Sequence, residues 1–339
     1  MKNKNMSRNF LNPKISLNPD VFSLRVKYEE TREGFGRGLL QAGRDDKRVV
    51  ALTADLASST KTDYFAEEFP ERFFEMGVAE QNMAGVSSGL AAMNKVPFIA
   101  SFAVFSPGRN WEQIRTTICL NNQNVKIIGF HAGVATGPDG ATHQALEDLA
   151  LMRVLPNIIV ISPADSLEAE KATLAAARIK KPVYLRFFRE KSPIITTPET
   201  RFIIGKANLL WQGEEPQVSI ISTGITVFQA LLAAKKLWVE EKISVQVFNF
   251  HTIKPLDTQV LDLAARTGAV VVTEDHQKAG GLGGAIAEYY TQKKPTLMEF
   301  VGLNDEFGQT GQAVQLLEHY GLDSNGIITA VKRALKRKN

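Results

Sequence analysis

Short apolar runs alternate with helix-like stretches along most of the chain. In the first half, six runs have the length and composition of buried strands, at 48–53, 73–76, 96–102, 125–130, 157–161 and 183–186. Patterns with helical spacing lie between them, at 28–42, from 80 onward, and at 111–120, 145–152 and 166–179, the last with Asp165 as its cap. Strands that alternate with helices predict a parallel sheet covered on both faces.

The alternation stops once, between residues 191 and 216, where Pro, Thr and charged residues dominate and no long helical pattern occurs. It restarts with strands at 218–221, 244–248 and 269–273 and helices at 227–239 and 285–290. We therefore predict an α/β fold of two doubly wound domains with parallel sheets. The expected boundaries are an N-terminal extension on the surface at 1–24, a first domain at 25–190, a linker at 191–216, a second domain at 217–332 and a basic tail at 333–339.

One carboxylate, Glu80, lies in an otherwise apolar stretch. A predicted strand precedes it, and small residues follow at helical spacing, a pattern that lets another backbone approach closely: Ala84, Gly85, Ser88, Gly89 and Ala92. Burial at such a strand-to-helix junction raises the pKa of a carboxyl group unless a partner holds its charge, so Glu80 is a candidate proton handler. The helix dipole alone also favours an acid in the first turn, and the stretch by itself favours that second interpretation slightly.

Composition limits the class of protein. A hydrophobic content of 44% and a charged content of 22% are typical of a globular protein, and no apolar run approaches the ~20 residues that a membrane span needs. The first nine residues lack the apolar core of a secretory signal. The one cysteine, Cys119, forms no intramolecular disulfide, and five scattered histidines give no zinc-site spacing. We expect a cytoplasmic protein that does not bind membranes.

The net charge of +4 comes from the two ends of the chain. The ends carry eight basic residues and no acids, so residues 9–331 have a net charge of −4. The eight are Lys2, Lys4, Arg8, Lys332, Arg333, Lys336, Arg337 and Lys338. Basic residues in frayed tails do not form the basic groove of a nucleic-acid-binding protein, so we expect no nucleic-acid partner.

Four groups of polar or aromatic side chains follow predicted strands in the first domain. They are Asp55 with Ser58 and Ser59, then Glu80, then Phe102 with Phe105, and finally His131 with the loop 137–144 that contains Asp139 and His143. Each group alone has an ordinary structural explanation, such as a core phenylalanine pair or an Asp-Gly turn. Because strand ends meet at one edge of a parallel sheet, together they describe a site for a flat heteroaromatic cofactor.

The second domain has a glycine-rich turn at 280–284, after the polar sequence Glu274-Asp275-His276. Its glycines resemble a phosphate-binding turn, but their spacing is not that of the dinucleotide-binding motif. We interpret it as a tight connection between a strand and a helix.

Three stretches together resemble the carboxyl-terminal half of a transketolase: 77–83 with its glutamate, 101–115 with its phenylalanine pair, and 137–144 with Asp-Gly-Ala-Thr-His-Gln. The resemblance covers roughly residues 25–330 and keeps the order of the family. It implies a pyrimidine-binding domain followed by a transketolase C-terminal domain, and a thiamine-diphosphate-dependent enzyme.

The resemblance also implies roles for individual residues. Glu80 matches the glutamate that binds N1′ of the cofactor's aminopyrimidine, Phe102 and Phe105 match the platform under that ring, and Asp55 lies near it. A third aromatic of many relatives is missing, because Gly108-Arg109 stands in that region with an apparent one-residue insertion. His131, Asp139 and His143 match contacts to sugar hydroxyls, with His143 also placed for proton transfer. Arg32, Ser59 and Arg189 match positions that bind the phosphate of a sugar phosphate.

The family's Gly-Asp-Gly motif, which with a later Asn binds diphosphate and Mg²⁺, does not occur in this sequence. The resemblance therefore implies an N-terminal partner subunit that carries the Mg²⁺ ligands, an α2β2 heterotetramer, and self-association through the Glu80 helix. The expected activity is transfer of a two-carbon ketol unit from a ketose phosphate to an aldose phosphate, in pentose phosphate metabolism.

Other interpretations stay open. The chain could be the E1 β subunit of a 2-oxo acid dehydrogenase, although the 139–143 loop and the arginines argue against this. It could be a transketolase-like enzyme for a modified sugar, or a scaffold without activity, although a scaffold needs no buried acid. Its length excludes a single-chain deoxyxylulose-phosphate synthase unless the chain is a fragment.

Overall fold

The structure, a computed structural model, describes residues 10–338. Residues 1–9, which include the basic Lys2, Lys4 and Arg8, and residue 339 lie outside the described residues. The chain forms two α/β domains, as the alternation of strands and helices predicts.

The first domain contains strands β1 to β8 and helices α1 to α7. The strands are β1 (Tyr28–Glu30), β2 (Val49–Thr53), β3 (Phe73–Glu75), β4 (Val96–Phe102), β5 (Lys126–Phe130), β6 (Ile159–Ile161), β7 (Val183–Arg186) and β8 (Lys191–Pro193). The helices are α1 (Thr31–Asp45), α2 (Ala57–Thr60), α3 (Asp63–Glu68), α4 (Glu80–Ala92), α5 (Trp111–Gln113, continued as a π-helix over Ile114–Cys119), α6 (Asp148–Arg153) and α7 (Ser166–Arg178). The predicted cap of α7 is confirmed, because the Asp165 carboxylate accepts a 2.8 Å hydrogen bond from the Glu168 N–H.

The second domain contains strands β9 to β14 and helices α8 to α12. The strands are β9 (Asn208–Gln212), β10 (Val218–Ser222), β11 (Val245–Asn249), β12 (Thr252–Lys254), β13 (Ala269–Gln277) and β14 (Leu297–Leu303). The helices are α8 (Thr226–Glu241), α9 (Thr258–Ala264), α10 (Leu282–Lys293), α11 (Ala313–His319) and α12 (Ser324–Lys338). Among residues 10–338, no helix combines the length and the apolar content that crossing a membrane requires.

The central strands of both sheets are parallel, which confirms the predicted fold class. Within the described chain, the larger sheet has the order β12-β6-β7-β5-β4-β2-β3 and the smaller one β14-β13-β10-β11-β9. The edge strands β12 and β9 are antiparallel to their neighbours, and β1 pairs with β8 in a separate antiparallel ribbon. Because β12 follows β11 in sequence yet joins the sheet of the first domain, the two domains share backbone hydrogen bonds.

Several segments differ from the sequence-based expectations, among them Thr252–Lys254 and Leu297–Leu303, which form β12 and β14 and were not predicted as strands. The predicted linker holds two strands, β8 and β9, and Tyr28–Glu30 is a strand rather than the start of a helix. Residues 333–338 of the basic tail belong to α12, where Arg333 and Arg337 donate to Glu299 at 3.0 and 2.6 Å, so the predicted fraying of these residues is wrong.

The N-terminal extension was expected on the surface, but its described part packs against the second domain. Phe10 is buried, with its ring stacked on that of Trp211 at a centroid distance of 5.3 Å. Its carbonyl accepts a hydrogen bond from the Gln212 N–H at 2.8 Å, and the Asn12 N–H donates to the Leu210 carbonyl at 2.9 Å. The segment therefore covers the otherwise unpaired edge of β9.

Buried polar contacts connect the two domains. Glu168 of α7 is buried and accepts hydrogen bonds from the Ala164 N–H at 2.7 Å and from the Asn249 amide of β11 at 2.9 Å. Burial, and then the neighbouring Asp165 carboxylate, raise the pKa of Glu168 to about 7 from its ordinary value of 4.5. The folded state therefore holds a proton on Glu168 over a pH range in which the unfolded chain has lost it.

This pKa predicts how stability depends on pH. Because the folded chain binds the extra proton between about pH 4.5 and pH 7, Glu168 makes the free energy of unfolding fall as the pH rises through that range. In Glu168→Gln this contribution should be absent. The change in the free energy of unfolding from pH 4.5 to pH 7 should therefore be more favourable in the variant than in the wild type by roughly 3 kcal/mol. Denaturant unfolding at both pH values measures it. An unchanged dependence in Glu168→Gln would contradict the prediction.

Candidate active site

The predicted site residues of the first domain lie after the carboxyl ends of its parallel strands. Glu80 follows β3, Phe102 ends β4 and His131 comes directly after β5. In open parallel sheets this edge is where ligands bind, because loops from several strands converge there.

Glu80 is the first residue of α4 and is 1% exposed. The turn before the helix uses Gly77 with a positive φ of 64°, and the Asn110 amide donates to the Glu80 carbonyl at 3.1 Å. The predicted burial at a strand-to-helix junction is confirmed. The partner of the carboxylate was not predicted: Arg109 Nη1 donates to Glu80 Oε2 at 2.6 Å.

Phe102 and Phe105 form an aromatic surface beside Glu80. Their rings are nearly parallel, with centroids 6.1 Å apart and an interplanar angle of 25°. The guanidinium carbon of Arg109 lies 4.7 Å from the centroid of the Phe105 ring. Arg109 thus takes up the region where the family resemblance led us to look for a third aromatic side chain.

The His131 ring stacks on the Phe102 ring at the other end of this surface, with the two ring centroids 4.0 Å apart. Its φ of 54° is uncommon for a non-glycine residue, and such strain concentrates at functional sites. Both ring nitrogens are buried and have no hydrogen-bond partner within the described residues. Burial, and then the Arg189 cation, lower the pKa of His131 to about 3, so its ring is neutral at pH 7 and has one donor and one acceptor free for a ligand.

The loop after His131 brings Asp139 and His143 to the same place. Arg189 Nη1 lies 2.8 Å from Asp139 Oδ1, and Asp139 Oδ2 lies 3.9 Å from His131 Nδ1. The half-buried His143 ring packs edge-on against Phe105 at 5.6 Å, and its Nδ1 lies 2.9 Å from Thr142 Oγ1. The structure therefore brings seven of the predicted site residues into one connected group, which are Glu80, Phe102, Phe105, His131, Asp139, His143 and Arg189.

Arg32, Ser59 and Asp55 lie at the margin. Arg32 Nη1 donates to the Ser59 carbonyl at 3.2 Å and forms an ion pair with Glu30, and its cation contributes to lowering the pKa of His131. Asp55 is exposed, and its N–H donates to Glu75 Oε1 at 2.7 Å. The hydrogen bonds among residues 10–338 do not connect its carboxylate with the aromatic surface.

The glycine-rich turn of the second domain holds a carboxylate of the chain itself. Glu274 accepts hydrogen bonds from the N–H groups of Leu282 and Gly283, at 2.7 and 2.8 Å, at the start of α10. A Cβ at Gly281 would lie 2.1 Å from Glu274 Oε2. Because an anionic side chain already fills this turn, our interpretation as a tight strand-to-helix connection is confirmed.

Two α/β domains with parallel sheets, and a buried acid, two nearly parallel phenylalanine rings and a histidine after the strands of the first, define a class: an α/β protein with a candidate ligand site at the strand ends. Comparison with known proteins agrees. Residues 28–194 match the pyrimidine-binding domain of transketolase, and residues 205–327 match the transketolase C-terminal domain. The chain belongs to the transketolase family, and its enzyme class is transferase.

Individual relatives are similar over nearly their whole length. A "putative transketolase C-terminal section" of Methanocaldococcus jannaschii is 42% identical, covering 92% of this chain and 98% of that protein. A 6-deoxy-6-sulfo-D-fructose transketolase subunit of a Clostridium species is 37% identical, covering 94% and 98%. The solved structure of a split-gene transketolase, described as an inactive β4 tetramer, has a TM-score of 0.85 and 45% identity over 91% of this chain and 99% of that one. This chain therefore corresponds to the C-terminal section of a split transketolase.

Proposed function

We propose that this chain supplies the pyrimidine-binding half of a thiamine diphosphate site and, with an N-terminal partner subunit, transfers a two-carbon ketol unit from a ketose phosphate to an aldose phosphate. In this reaction the C2–C3 bond of the donor breaks, and the two-carbon unit forms a new bond to C1 of the acceptor. The observation that carries the proposal is the continuous group of side chains from Glu80 through the two phenylalanine rings to His131 and Arg189.

The residues present suit an aminopyrimidine ring. The nearly parallel phenylalanine rings offer apolar faces, and Glu80 offers a buried carboxylate beside them. When bound, thiamine diphosphate would supply the carbanion that carries the transferred unit. Glu80 would hold a proton at N1′ of the pyrimidine, and Phe102 and Phe105 would orient the ring, with Asp55 close to it.

The sugar would lie over the same surface. His131 and Asp139 would bind its hydroxyl groups, because the neutral imidazole and the carboxylate offer both donors and acceptors. Nδ1 of His143 forms a hydrogen bond with the Thr142 hydroxyl. Nε2 is therefore the nitrogen that would exchange a proton with the substrate. Arg32, Ser59 and Arg189 would hold the anionic end, where guanidinium groups bind oxyanions.

The partner would complete the site. In the proposed α2β2 heterotetramer, the partner subunit would hold the diphosphate and the Mg²⁺ ligands, since this sequence has no Gly-Asp-Gly motif. Self-association would use the outer face of α4, where a Cβ added at Gly85 or Gly89 would meet no atom within 4 Å and Met93 is 78% exposed. A cytoplasmic location suits a chain with one cysteine.

A modified sugar is the second candidate substrate. The 37% identical relative is named for 6-deoxy-6-sulfo-D-fructose, a sugar with a sulfonate where a sugar phosphate has its phosphate. Arg32 and Arg189 present guanidinium groups that suit either oxyanion. We therefore propose ketol transfer from a sulfonated ketose as the alternative to ketol transfer in the pentose phosphate pathway.

Reconstitution tests the proposal. The chain is co-purified with a Gly-Asp-Gly partner subunit, and transfer from xylulose 5-phosphate or 6-deoxy-6-sulfo-D-fructose to an aldose phosphate is measured with and without thiamine diphosphate and Mg²⁺. We expect transfer only with both subunits and both additions, and light scattering should give an α2β2 mass. A complex that assembles but transfers from neither donor would overturn the proposed activity.

A further inference from the structure

The sequence Glu274-Asp275-His276 lies at the end of β13, at the boundary between the two domains. All three residues are buried, and each makes a different contact. Glu274 binds the start of α10 within the second domain, whereas His276 Nε2 lies 3.4 Å from the Ala150 N–H of the first domain. Asp275 also reaches the first domain, and its contacts concern the candidate active site directly.

The carboxylate of Asp275 binds the backbone of the loop that follows His131. Oδ1 accepts a hydrogen bond from the Val134 N–H at 2.9 Å, and Oδ2 accepts one from the Ala135 N–H at 3.1 Å. Gly133, with a φ of 86°, allows this approach, because a Cβ there would lie 2.1 Å from Asp275 Oδ2. The loop leaves the sheet through this contact and continues to Asp139 and His143.

Asp275 is itself held in place. Its backbone carbonyl accepts a 2.7 Å hydrogen bond from Arg186 Nη2 of the first domain. Arg186 is buried, and its Nε donates to Asp148 Oδ2 at 2.8 Å, while the Tyr184 hydroxyl donates to the same oxygen at 2.7 Å. Because Arg186 fixes the backbone of Asp275, the Asp275 carboxylate can hold the loop without moving with it.

The far end of the loop is also held by the second domain. The Gln144 amide, one residue after His143, donates to the Gln309 carbonyl at 2.9 Å. A Cβ at Gly140 would lie 2.5 Å from Thr310 Oγ1, so the Thr310 side chain packs against the loop backbone there as well. The segment from His131 to Gln144 is therefore held by the second domain near both ends, at Val134 and Ala135 and again at Gln144. The same segment carries His131, Asp139 and His143.

We propose that the second domain clamps this segment in its working position and that Asp275 is the positioning residue of the clamp. The inference rests on the proposed function, in which His131, Asp139 and His143 bind and protonate the sugar. Such groups must be held to within about 0.5 Å of their productive positions. Hydrogen bonds within the segment, such as those from the Gly140 and His143 N–H groups to the carbonyls of Gly137 and Gly140, shape the loop, and the contacts with the second domain fix its position. The second domain, which contains none of the predicted site residues, would in this way affect the rate of the reaction.

Glu274 provides a matched control for Asp275. Both are buried carboxylates of one strand end, and both accept hydrogen bonds from two successive N–H groups. The groups bound by Glu274 belong to α10, away from the loop. Asp275→Asn and Glu274→Gln therefore each replace one acceptor oxygen by an amide donor, and both should lower stability, but only the former changes the loop.

Hydrogen exchange on the full chain tests the contact without reference to activity. In Asp275→Asn the amides of Val134 and Ala135 should exchange about tenfold faster or more, because local opening no longer breaks two hydrogen bonds to a carboxylate. In Glu274→Gln the faster amides should be those of Leu282 and Gly283. Unchanged exchange at Val134 and Ala135 in Asp275→Asn would overturn the clamp.

Kinetic measurements on the complex with the partner subunit test whether the clamp affects the reaction. Asp275→Asn should lower kcat and raise the sugar KM, with kcat/KM reduced about tenfold to a hundredfold, while the thiamine diphosphate Kd stays within about twofold. Glu274→Gln should leave all of these constants close to those of the wild type. Equal losses in both variants, or none in Asp275→Asn, would overturn the proposal. Absence of transfer in the wild-type complex would instead reject the proposed function and leave the exchange result standing.

A second variant covers the case in which Asp275→Asn does not fold. Gln144→Met keeps a similar side-chain volume and removes the amide that donates to the Gln309 carbonyl at 2.9 Å and, within the loop, to the Gly137 carbonyl at 3.3 Å. It should raise the sugar KM without changing the thiamine diphosphate Kd. A wild-type KM in this variant would contradict a clamp that acts at both ends.

Discussion

Glu80→Gln is expected to abolish activity of the reconstituted complex while the chain still folds. Glutamine keeps the shape and one acceptor oxygen, so it can still accept a hydrogen bond from Arg109, which now lies 2.6 Å from Glu80 Oε2. It cannot exchange a proton, and loss of an acid–base group usually costs about a hundredfold to ten-thousandfold in rate. We therefore expect kcat to fall by at least about a hundredfold, with a melting temperature close to that of the wild type.

The measurement separates proton handling from binding. Deuterium exchange at C2 of bound thiamine diphosphate reports whether the cofactor is activated, and equilibrium titration gives its Kd. Glu112→Gln is the matched control, because Glu112 is an exposed glutamate in the neighbouring helix α5 and makes its side-chain hydrogen bond with Gln113. Wild-type C2 exchange in Glu80→Gln, or equal losses in the control, would reject the proton-handling role.

The parallel core of the fold could be predicted from the sequence because its strands are continuous apolar runs. The run at 96–102 matches β4 residue for residue, and the run at 183–186 does so for β7. Such strands are covered on both faces, so burial alone gives them their pattern. The same reasoning gave the alternation of helices and strands in the second domain.

Two of the missed strands are short and take their stability from distant partners. Tyr28–Glu30 forms β1 only because it pairs with Lys191–Pro193, more than 150 positions later in the sequence, and Thr252–Lys254 joins the edge of the other domain's sheet. Their local sequences have no apolar alternation to reveal them. Phe10 is a similar case, since its burial depends on Trp211, far along the chain.

In the candidate site, too, some features could be predicted from the sequence and others could not. Glu80, the phenylalanine pair and the histidines could be found because they follow strands directly and share a resemblance to a family. The partner of Glu80 could not, because the position of Arg109 depends on how the chain turns between Phe105 and Asn110. Asp275 was visible as part of a polar sequence after a strand, but its contact with Val134 and Ala135 joins residues about 140 positions apart.

His143→Ala is expected to reduce turnover far more than assembly. The side chain is half-buried, and its contacts are a hydrogen bond with Thr142 and edge-on packing against Phe105, so its loss leaves no buried group unpaired. If His143 exchanges a proton with the sugar, its removal should lower kcat about a hundredfold or more. The mass of the complex and the thiamine diphosphate Kd should be unchanged, because neither depends on a sugar contact.

His319→Ala is the matched control for this variant. His319 is exposed on α11 and also packs edge-on against an aromatic ring, that of Tyr320 at 4.8 Å, but it lies outside the connected site group. Steady-state kinetics with both donor sugars, and light scattering of both complexes, should show a loss of kcat in His143→Ala alone. If His143→Ala kept the wild-type kcat and changed only the sugar KM, His143 would be a binding residue, and proton transfer would have to be assigned to another group near Phe105.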